Sequence, residues 1–247
     1  MQLNEDVELL DGLPVIFIKS ISSLVIADPH LGYEGVMAKK GVLIPKVNLK
    51  HICTILEKAI KATGAKTLIV DGDIKNEFST VDEEEFNELY DFINFLKEKK
   101  ISMVLIKGNH DNFVERYKEP FKLEIHRQEA YIGGYLFFHG EELPVGVNKD
   151  TKMLVMGHEH PAIAIFNGVG KREKLRCFLY GKFEGKDILV LPAISYFASG
   201  TDINAVPGDE LLAPIFGKLS VDKMQAIAIG YGSTIDFGTI SQLRSAL

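Results

Sequence analysis

The chain has 247 residues, of which 46% are hydrophobic, and its 28 basic and 34 acidic side chains give a net charge of −6. This length supports one large domain or two small ones, and the acidic balance argues against tight, cofactor-free binding of DNA by the surface as a whole. No apolar run approaches the length of a membrane span, and the acidic N-terminus lacks the pattern of a secretory signal. We therefore expect a single domain, residues 1–247, in the cytoplasm.

Cys53 and Cys177 lack the paired spacing of a zinc ribbon or a redox motif, so we expect two ordinary thiols.

The first half of the chain predicts strands that alternate with helices. Apolar positions three and four residues apart predict a helix over residues 45–62. A second helix is predicted after Thr80 and Glu83, which have the spacing of a capping box. The predicted strands of this half cover residues 13–27, as a hairpin, then 66–70 and 101–106. This alternation is typical of a parallel sheet that is covered by helices.

After residue 120 the pattern changes to short strands that are separated by glycines. Examples are the segments EAYIGGYLFFHG, MLVMGHEH and DILVLPA. Their close spacing leaves little room for helices, so the second half predicts a mostly β layer that packs on the first half. No long linker, repeat or low-complexity tract separates the two halves.

Five apolar runs each end at residue types that bind metal ions. The residues that follow these runs are Asp28-Pro29-His30, Asp71-Gly72-Asp73, Gly108-Asn109-His110-Asp111, His139-Gly140 and Gly157-His158-Glu159-His160. Because a buried strand delivers the loop after it to one edge of its sheet, we expect these side chains to meet. A single Asp or His would be explained by turn capping, whereas five such loops predict a metal site. Nitrogen and oxygen ligands without Cys suit manganese, iron or zinc better than a structural zinc site.

In this order the five motifs resemble those of the calcineurin-like metallophosphoesterase superfamily. The chain is more narrowly similar to an archaeal group of phosphoesterases related to the SbcD-type repair nuclease, by its compact length and its segment LPAISYFASGTDIN. The resemblance covers residues 22–161 by motif and implies a mixed α/β fold. This fold is a four-layer α/β/β/α sandwich of two mixed sheets flanked by helices, with a dinuclear metal site at the sheet edge.

The resemblance also implies two divalent metal ions, with manganese as the first choice and iron, zinc, nickel or magnesium as alternatives. The implied ligands are Asp28, His30 and His160 for one ion, Asn109, His139 and His158 for the other, and Asp73 between them. Two cations about 3.5–4 Å apart polarise a phosphate and lower the pKa of a shared water, so that hydroxide is available near neutral pH. His110 then assists the leaving group, and Asp111 orients the ring of His110. The implied enzyme hydrolyses a phosphodiester or a phosphomonoester.

One loop departs from the pattern of the repair nucleases. Asn76 stands where those enzymes usually carry His, and Asn can donate a hydrogen bond but cannot act as a proton donor. Lys75 is either a contact of the substrate phosphate or a solvated loop lysine. Lys75 and Asn76 are thus candidate substrate contacts, and the substrate itself, including a nucleotide or a nucleic acid, is left open. The oligomeric state is also open, with a homodimer as one option.

Two alternative functions follow from the same motifs. The first is a metal-dependent nuclease that acts with a partner in DNA repair or processing, and the second is a non-catalytic scaffold of the same fold. The scaffold is disfavoured because every ligand position is filled, and buried polar clusters are costly to keep without a role. Two basic stretches could follow a nucleic-acid backbone, although a solvated face is the more common explanation and no aromatic residues interleave with them. These stretches contain Lys39, Lys40, Lys46 and Lys50, and Lys171, Arg172, Lys174 and Arg176.

Overall fold

The computed structural model describes residues 1–77, 83–166, 170–230 and 232–246. In these residues the helices are α1 (Tyr33–Lys39), α2 (Asn48–Thr63), α3 (Glu83–Glu98), α4 (Lys118–Phe121) and α5 (Ile240–Ser245). The strands of the first half are β1 (Val7–Leu9), β2 (Ile16–Ile18), β3 (Ser23–Ala27), β4 (Thr67–Asp71), β5 (Ser102–Ile106) and β6 (Glu124–His126). The strands of the second half are β7 (Glu129–Ile132), β8 (Tyr135–Phe138), β9 (Met153–Met156), β10 (Pro161–Phe166), β11 (Arg172–Phe183), β12 (Lys186–Val190), β13 (Thr201–Asp202), β14 (Gln225–Gly230) and β15 (Ser233–Thr239).

The first sheet has six strands in the order β1-β2-β3-β4-β5-β6. The pairs β1-β2 and β2-β3 are antiparallel, which confirms the predicted hairpin, and the strands from β3 to β6 run parallel. Helices α2 and α3 connect these parallel strands and bury apolar side chains such as Ile52, Leu56 and Phe92 against one face. Helix α2 begins three residues later than predicted and ends at Gly64, whose φ of 67° allows the left-handed cap. Thr80, the first residue of the predicted capping box, lies outside the described residues.

The second sheet has nine strands, with β13-β10-β11-β12-β9-β8-β7 in order and with β14 pairing β11 and β15. Its inner face packs on the first sheet through buried side chains such as Val25, Ile69 and Phe137. Its outer face is covered by α5 and by two short 3-10 helices, at Pro214–Gly217 and Val221–Lys223. The chain therefore folds into two mixed sheets flanked by helical layers, as predicted.

The two sheets meet at the edge where the motif loops lie. Strands β3, β4 and β5 of the first sheet and β8 and β9 of the second all deliver a motif at their carboxyl ends. After β12 the chain crosses to the first sheet, where Ile194 N donates to the Ala27 carbonyl oxygen at 2.9 Å. This crossing fixes the ends of the two sheets relative to each other. No helix in the described part of the chain is long and apolar enough to span a membrane.

Candidate metal centre

The motif side chains from both sheets meet in a single polar cluster. Three overlapping groups have ligand atoms within 4.8 Å of one another: Asp28, His30 and His160; His30, Asp73 and His110; and Asp73, His139 and His158. Six of the seven predicted ligands are therefore together in these groups. The seventh, Asn109, lines the adjacent cavity, and its Oδ1 is buried without a hydrogen-bond partner among the described residues. Asp73 and His30 each belong to two of the groups.

One end of the cluster is formed by Asp28, His30 and His160. The Nε2 atom of His160 lies 3.3 Å from Asp28 Oδ1 and 3.4 Å from His30 Nε2. Two imidazole nitrogens and a carboxylate oxygen at this spacing form a donor set that a divalent cation can use.

The other end is formed by Asp73, His139 and His158. The Nε2 atom of His139 lies 3.3 Å from Asp73 Oδ2 and 3.3 Å from His158 Nδ1. His139 Nδ1 lies 3.1 Å from the Asp71 carbonyl oxygen, which can only accept. Nδ1 therefore carries a proton, and Nε2 is the ring nitrogen that faces the cluster, as is usual for a histidine that binds a metal ion.

Five predicted ligands adopt a backbone conformation that side chains other than glycine rarely adopt. The φ angles are 56° at Asp28, 47° at His30, 49° at Asp73, 67° at His158 and 49° at His160. Such a conformation costs on the order of 1–3 kcal/mol per residue and persists only where the surrounding structure imposes it. Strain that is concentrated at one set of loops marks them as a functional site.

The motif glycines are required by close contacts with the ligands. A Cβ atom at Gly72, where φ is 82°, would lie 1.9 Å from His139 Nδ1. A Cβ atom at Gly108 would lie 2.2 Å from Asp73 Oδ1. These two positions therefore admit no side chain unless a ligand moves.

The pKa values of the cluster are shifted by burial and by the charges of neighbouring side chains. Burial lowers the pKa of His30 to about 4 and that of His158 to about 4, so both rings are neutral near pH 7. Burial acts to raise the pKa of Asp73, but the neighbouring His139 outweighs it and lowers the pKa. Burial acts to lower the pKa of His139, and the Asp73 carboxylate raises it well above the usual value. The positive charge of the His139 ring thus compensates the buried Asp73 carboxylate, a role that a bound metal ion would take over from the ring proton.

His110 belongs to one of the three groups, and its ring is held by a contact outside the predicted ligands. Its Nδ1 atom lies 2.6 Å from the Asn76 carbonyl oxygen, and its amide donates to Asp73 Oδ1 at 2.9 Å. Its Nε2 atom lies 3.8 Å from Asp73 Oδ2, and the side chain is 20% exposed. The ring is therefore oriented by a backbone carbonyl and can be reached from the cavity.

The contacts of Asp111 differ from those that the resemblance implied. Its carboxylate is fully buried, where Oδ2 accepts from the Gly108 amide at 2.9 Å and Oδ1 from the Lys75 amide at 3.3 Å. Asp111 thus holds two motif loops together, and among the contacts seen in the described residues it is the Asn76 carbonyl that orients the His110 ring. Burial, followed by the charge of Asp73, raises the pKa of Asp111 to about 7.

Both interpretations of Lys75 are wrong, because the residue is neither a substrate contact nor solvated. Its side chain is 1% exposed, and its Nζ atom lies 3.4 Å from Glu85 Oε2 and also donates to the Glu77 carbonyl oxygen. The other oxygen of Glu85 accepts from the amides of Asn76 and Glu77 at 3.0 and 2.9 Å. This pair therefore anchors α3 to the second motif loop. Asn76 does line the cavity and stays a candidate substrate contact.

A cavity of about 590 Å³ opens beside the cluster. The ligands form one wall, and Tyr33, Phe197, Ser199, Thr201 and Leu212 form much of the other. The opposite wall comes from α1 and from the segment after β12, to which the sequence motifs did not point.

Asn48 is a structural support that the sequence analysis missed. This buried residue in α2 donates to the carbonyl oxygens of Pro29 and His30 at 2.9 and 3.0 Å. Its Oδ1 accepts from the Tyr196 amide at 2.8 Å and from Ser195 Oγ at 3.2 Å. Asn48 therefore ties the first motif loop to the opposite wall of the cavity. Its position near the start of a helix gave no signal of this role.

Glu159, between the two histidines of the last motif, turns away from the ligand cluster. It is fully buried, and its Oε2 accepts from the Ala213 amide at 3.0 Å. It therefore positions the segment that carries Leu212, which lines the cavity.

A mixed two-sheet α/β fold with an Asp, Asn and His cluster at the shared sheet edge defines a metal-dependent hydrolase. Residues 21–176 match the family described as "Metallophos: Calcineurin-like phosphoesterase". The chain belongs to this family, and it is a hydrolase that acts on phosphoester bonds.

Comparison with one solved structure agrees at the level of the fold. The nuclease MPE of Pseudomonas putida is similar with a TM-score of 0.64 and 19% identity, over 93% of this chain and 94% of that one. The phosphoesterase Yfce of E. coli shows a lower TM-score of 0.42 and 17% identity, over 86% of this chain and 96% of that one. No curated protein sequence matches the chain.

Proposed function

We propose that the protein is a phosphodiesterase, with phosphomonoesters as the alternative substrates, that uses two divalent metal ions, manganese first. The shared position of Asp73, whose carboxylate belongs to two ligand groups, carries this proposal. A carboxylate offers two oxygens and suits a bridging role between cations. Asp28, His30 and His160 would hold one ion, and Asn109, His139 and His158 the other. The unpartnered Oδ1 of Asn109 fits this assignment.

When bound, two such ions stabilise charge on the phosphoryl oxygens and make a water-derived nucleophile available near neutral pH. The residues of the chain supply the remaining functions. The Asn76 carbonyl fixes the proton of His110 on Nδ1, so Nε2 is presented to the cavity. In its protonated form the ring carries at Nε2 the proton that a leaving alkoxide needs. Asp111 holds the loop of His110 in place through the Gly108 amide.

A substrate panel with several metal ions tests this proposal. Bis-p-nitrophenyl phosphate, p-nitrophenyl phosphate and single-stranded DNA are each incubated with manganese, magnesium, zinc or iron. We expect hydrolysis of the diester with manganese, and none by Asp73→Asn protein prepared in the same way. His126→Asn serves as the matched control, because His126 lies outside the cluster and its ring contacts only Glu124 among the contacts seen. Absence of hydrolysis in the whole panel contradicts the proposal and favours the scaffold.

A metal-dependent nuclease is the second candidate, and a membership in the SbcD-related group would agree with it. The surface that continues from the cavity, described in the next section, favours this candidate. Cytoplasmic location, a single domain over residues 1–247 and a homodimer stay predictions.

A further inference from the structure

Four rings form a continuous series that leads out of the metal cavity. Tyr33 and Phe197 lie in the cavity wall and are stacked, with ring centroids 4.7 Å apart and an interplanar angle of 18°. Phe197 contacts Tyr196 edge to face at 5.1 Å, and Tyr196 contacts His51 at 5.3 Å. We call these four residues the ring series. Because α1, α2 and the segment after β12 each supply members, the series exists only in the folded protein.

A basic groove begins where the ring series ends. Its lining includes His51, Lys58, Lys174 and Arg176, and it has a volume of about 420 Å³. None of the described residues that line it is acidic. Lys174 is compensated by Asp202 at 3.0 Å, whereas no ion pair of Lys58 is seen in the described part of the chain. In a chain of net charge −6, this groove is a local positive surface.

Tyr196 links the ring series to the groove and is held in place by its backbone. Arg176 Nη2 donates to the carbonyl oxygens of Ser195 and Tyr196 at 2.6 and 3.1 Å. The Tyr196 amide donates to Asn48 Oδ1 at 2.8 Å. Tyr196 as a whole is 53% exposed. A large aromatic surface is therefore presented to solvent on a fixed backbone, so little ordering is needed when a ligand stacks on it.

We propose that one strand of nucleic acid binds along the ring series and the basic groove, with one of its phosphodiesters at the metal cluster. Bases stack on the rings and phosphates follow the groove, which is how proteins bind single strands without reading their sequence. A duplex fits poorly, because its bases stack on one another and are not free to lie on protein rings. Cleavage of the bound strand rests on the proposed function. Binding of the strand along the ring series and the groove does not.

The two basic stretches of the sequence contribute only part of this surface. Arg172 and Lys174 both pair with Asp202, and Lys46 pairs with Glu84, so three of the eight basic side chains share two carboxylates. The groove takes Lys174 and Arg176 from the second stretch and adds Lys58 of α2, which lies outside both stretches.

Fluorescence anisotropy with a labelled oligothymidylate, measured in calcium with strand integrity checked on a gel, tests the stacking. We expect Tyr196→Ala to weaken binding about tenfold, within the range for the loss of one stacked base. Tyr131→Ala is the matched control, because Tyr131 on β7 is 46% exposed and lies outside the ring series. An oligonucleotide of equal charge made of abasic units should bind more weakly and should not respond to Tyr196→Ala.

The salt dependence of binding tests the groove independently. We expect Lys58→Ala to lower the slope of log affinity against log salt by about 0.7, the value for one phosphate contact of a single strand. Lys218→Ala removes an exposed lysine in the outer layer of the second sheet and should leave the slope unchanged. Both variants change surface residues, so they remain informative if Tyr196→Ala proves unstable.

Equal effects of Tyr196→Ala and Tyr131→Ala, equal binding of the abasic strand, or tighter binding of duplex than of single strand each overturn the inference. Wild-type protein that hydrolyses bis-p-nitrophenyl phosphate but does not bind the oligonucleotide overturns the inference alone. Wild-type protein that binds the oligonucleotide as described but hydrolyses no phosphoester overturns the proposed function alone.

Discussion

A comparison of Gly72→Ala with Gly64→Ala separates the effect of backbone strain from the effect on a metal ligand. Gly72 has a φ of 82°, and its added Cβ would lie 1.9 Å from Nδ1 of the fully buried His139 ring. Gly64 also has a positive φ, 67°, but nothing lies within 4 Å of an added Cβ. Both changes therefore force alanine into the left-handed region, at about 1–2 kcal/mol. Only Gly72→Ala must also displace His139 from its hydrogen bond with the Asp71 carbonyl.

The two variants should therefore differ in metal binding more than in stability. We expect Gly64→Ala to lower the melting temperature by about 2–8 °C, from the usual shift per kcal/mol for a chain of this size, and to bind manganese normally. We expect Gly72→Ala to lose about 10–100-fold in manganese affinity, as is typical when a contact that orients a metal ligand is lost. Calorimetric titration measures the manganese affinity of both variants, and thermal unfolding measures their melting temperatures. Wild-type manganese affinity in Gly72→Ala would refute the assignment of His139 as a ligand.

Three further predictions address the other roles. We expect His110→Asn to keep its metal ions but to lose about 10²–10⁴-fold in kcat, whereas Asp73→Asn loses its metal ions and its activity. Metal analysis and rate measurements on the same samples check this difference. Equal metal loss in the two variants contradicts it. Lys75→Met should lower the free energy of unfolding by about 3–5 kcal/mol because it leaves the buried Glu85 carboxylate without its cation. Denaturant unfolding measures this free energy. A loss below about 1 kcal/mol contradicts a buried ion pair. Burial raises the pKa of Glu88 from 4.5 to about 7, so the folded state binds the extra proton, and stability should fall as pH rises between these values and level off above about 7. Glu88→Gln should remove this part of the pH dependence, and an unchanged pH profile in that variant excludes Glu88 as its source.

The strand ends could be predicted because their signal is local. The run SSLVIA and the following Asp28 predict both a buried strand and a ligand at its end, and the same holds for TLIV and Asp73. The structure shows which neighbouring atoms require the glycines of these motifs. Gly72 is required because a side chain there would meet His139, which comes from a strand of the other sheet.

The remaining features depend on contacts between distant parts of the chain. Lys75 looked like a surface or substrate-binding lysine because its partner, Glu85, lies ten residues further along the chain, in α3. The ring series joins Tyr33 and Tyr196 through the crossing of the chain after β12, which no local pattern encodes. Such buried pairs and shared surfaces follow from packing, so periodicity and motif spacing do not reveal them.

The number of metal ions that the chain binds, measured together with its rate of hydrolysis, tests the central claim most directly. Metal-free protein is titrated with manganese, and bound ions per chain and bis-p-nitrophenyl phosphate hydrolysis are followed in the same samples. The shared position of Asp73 predicts two ions per chain and a rate that rises with occupancy of the second. Full activity at one ion per chain, or two ions bound equally well by Asp73→Asn, would contradict a dinuclear centre built around Asp73.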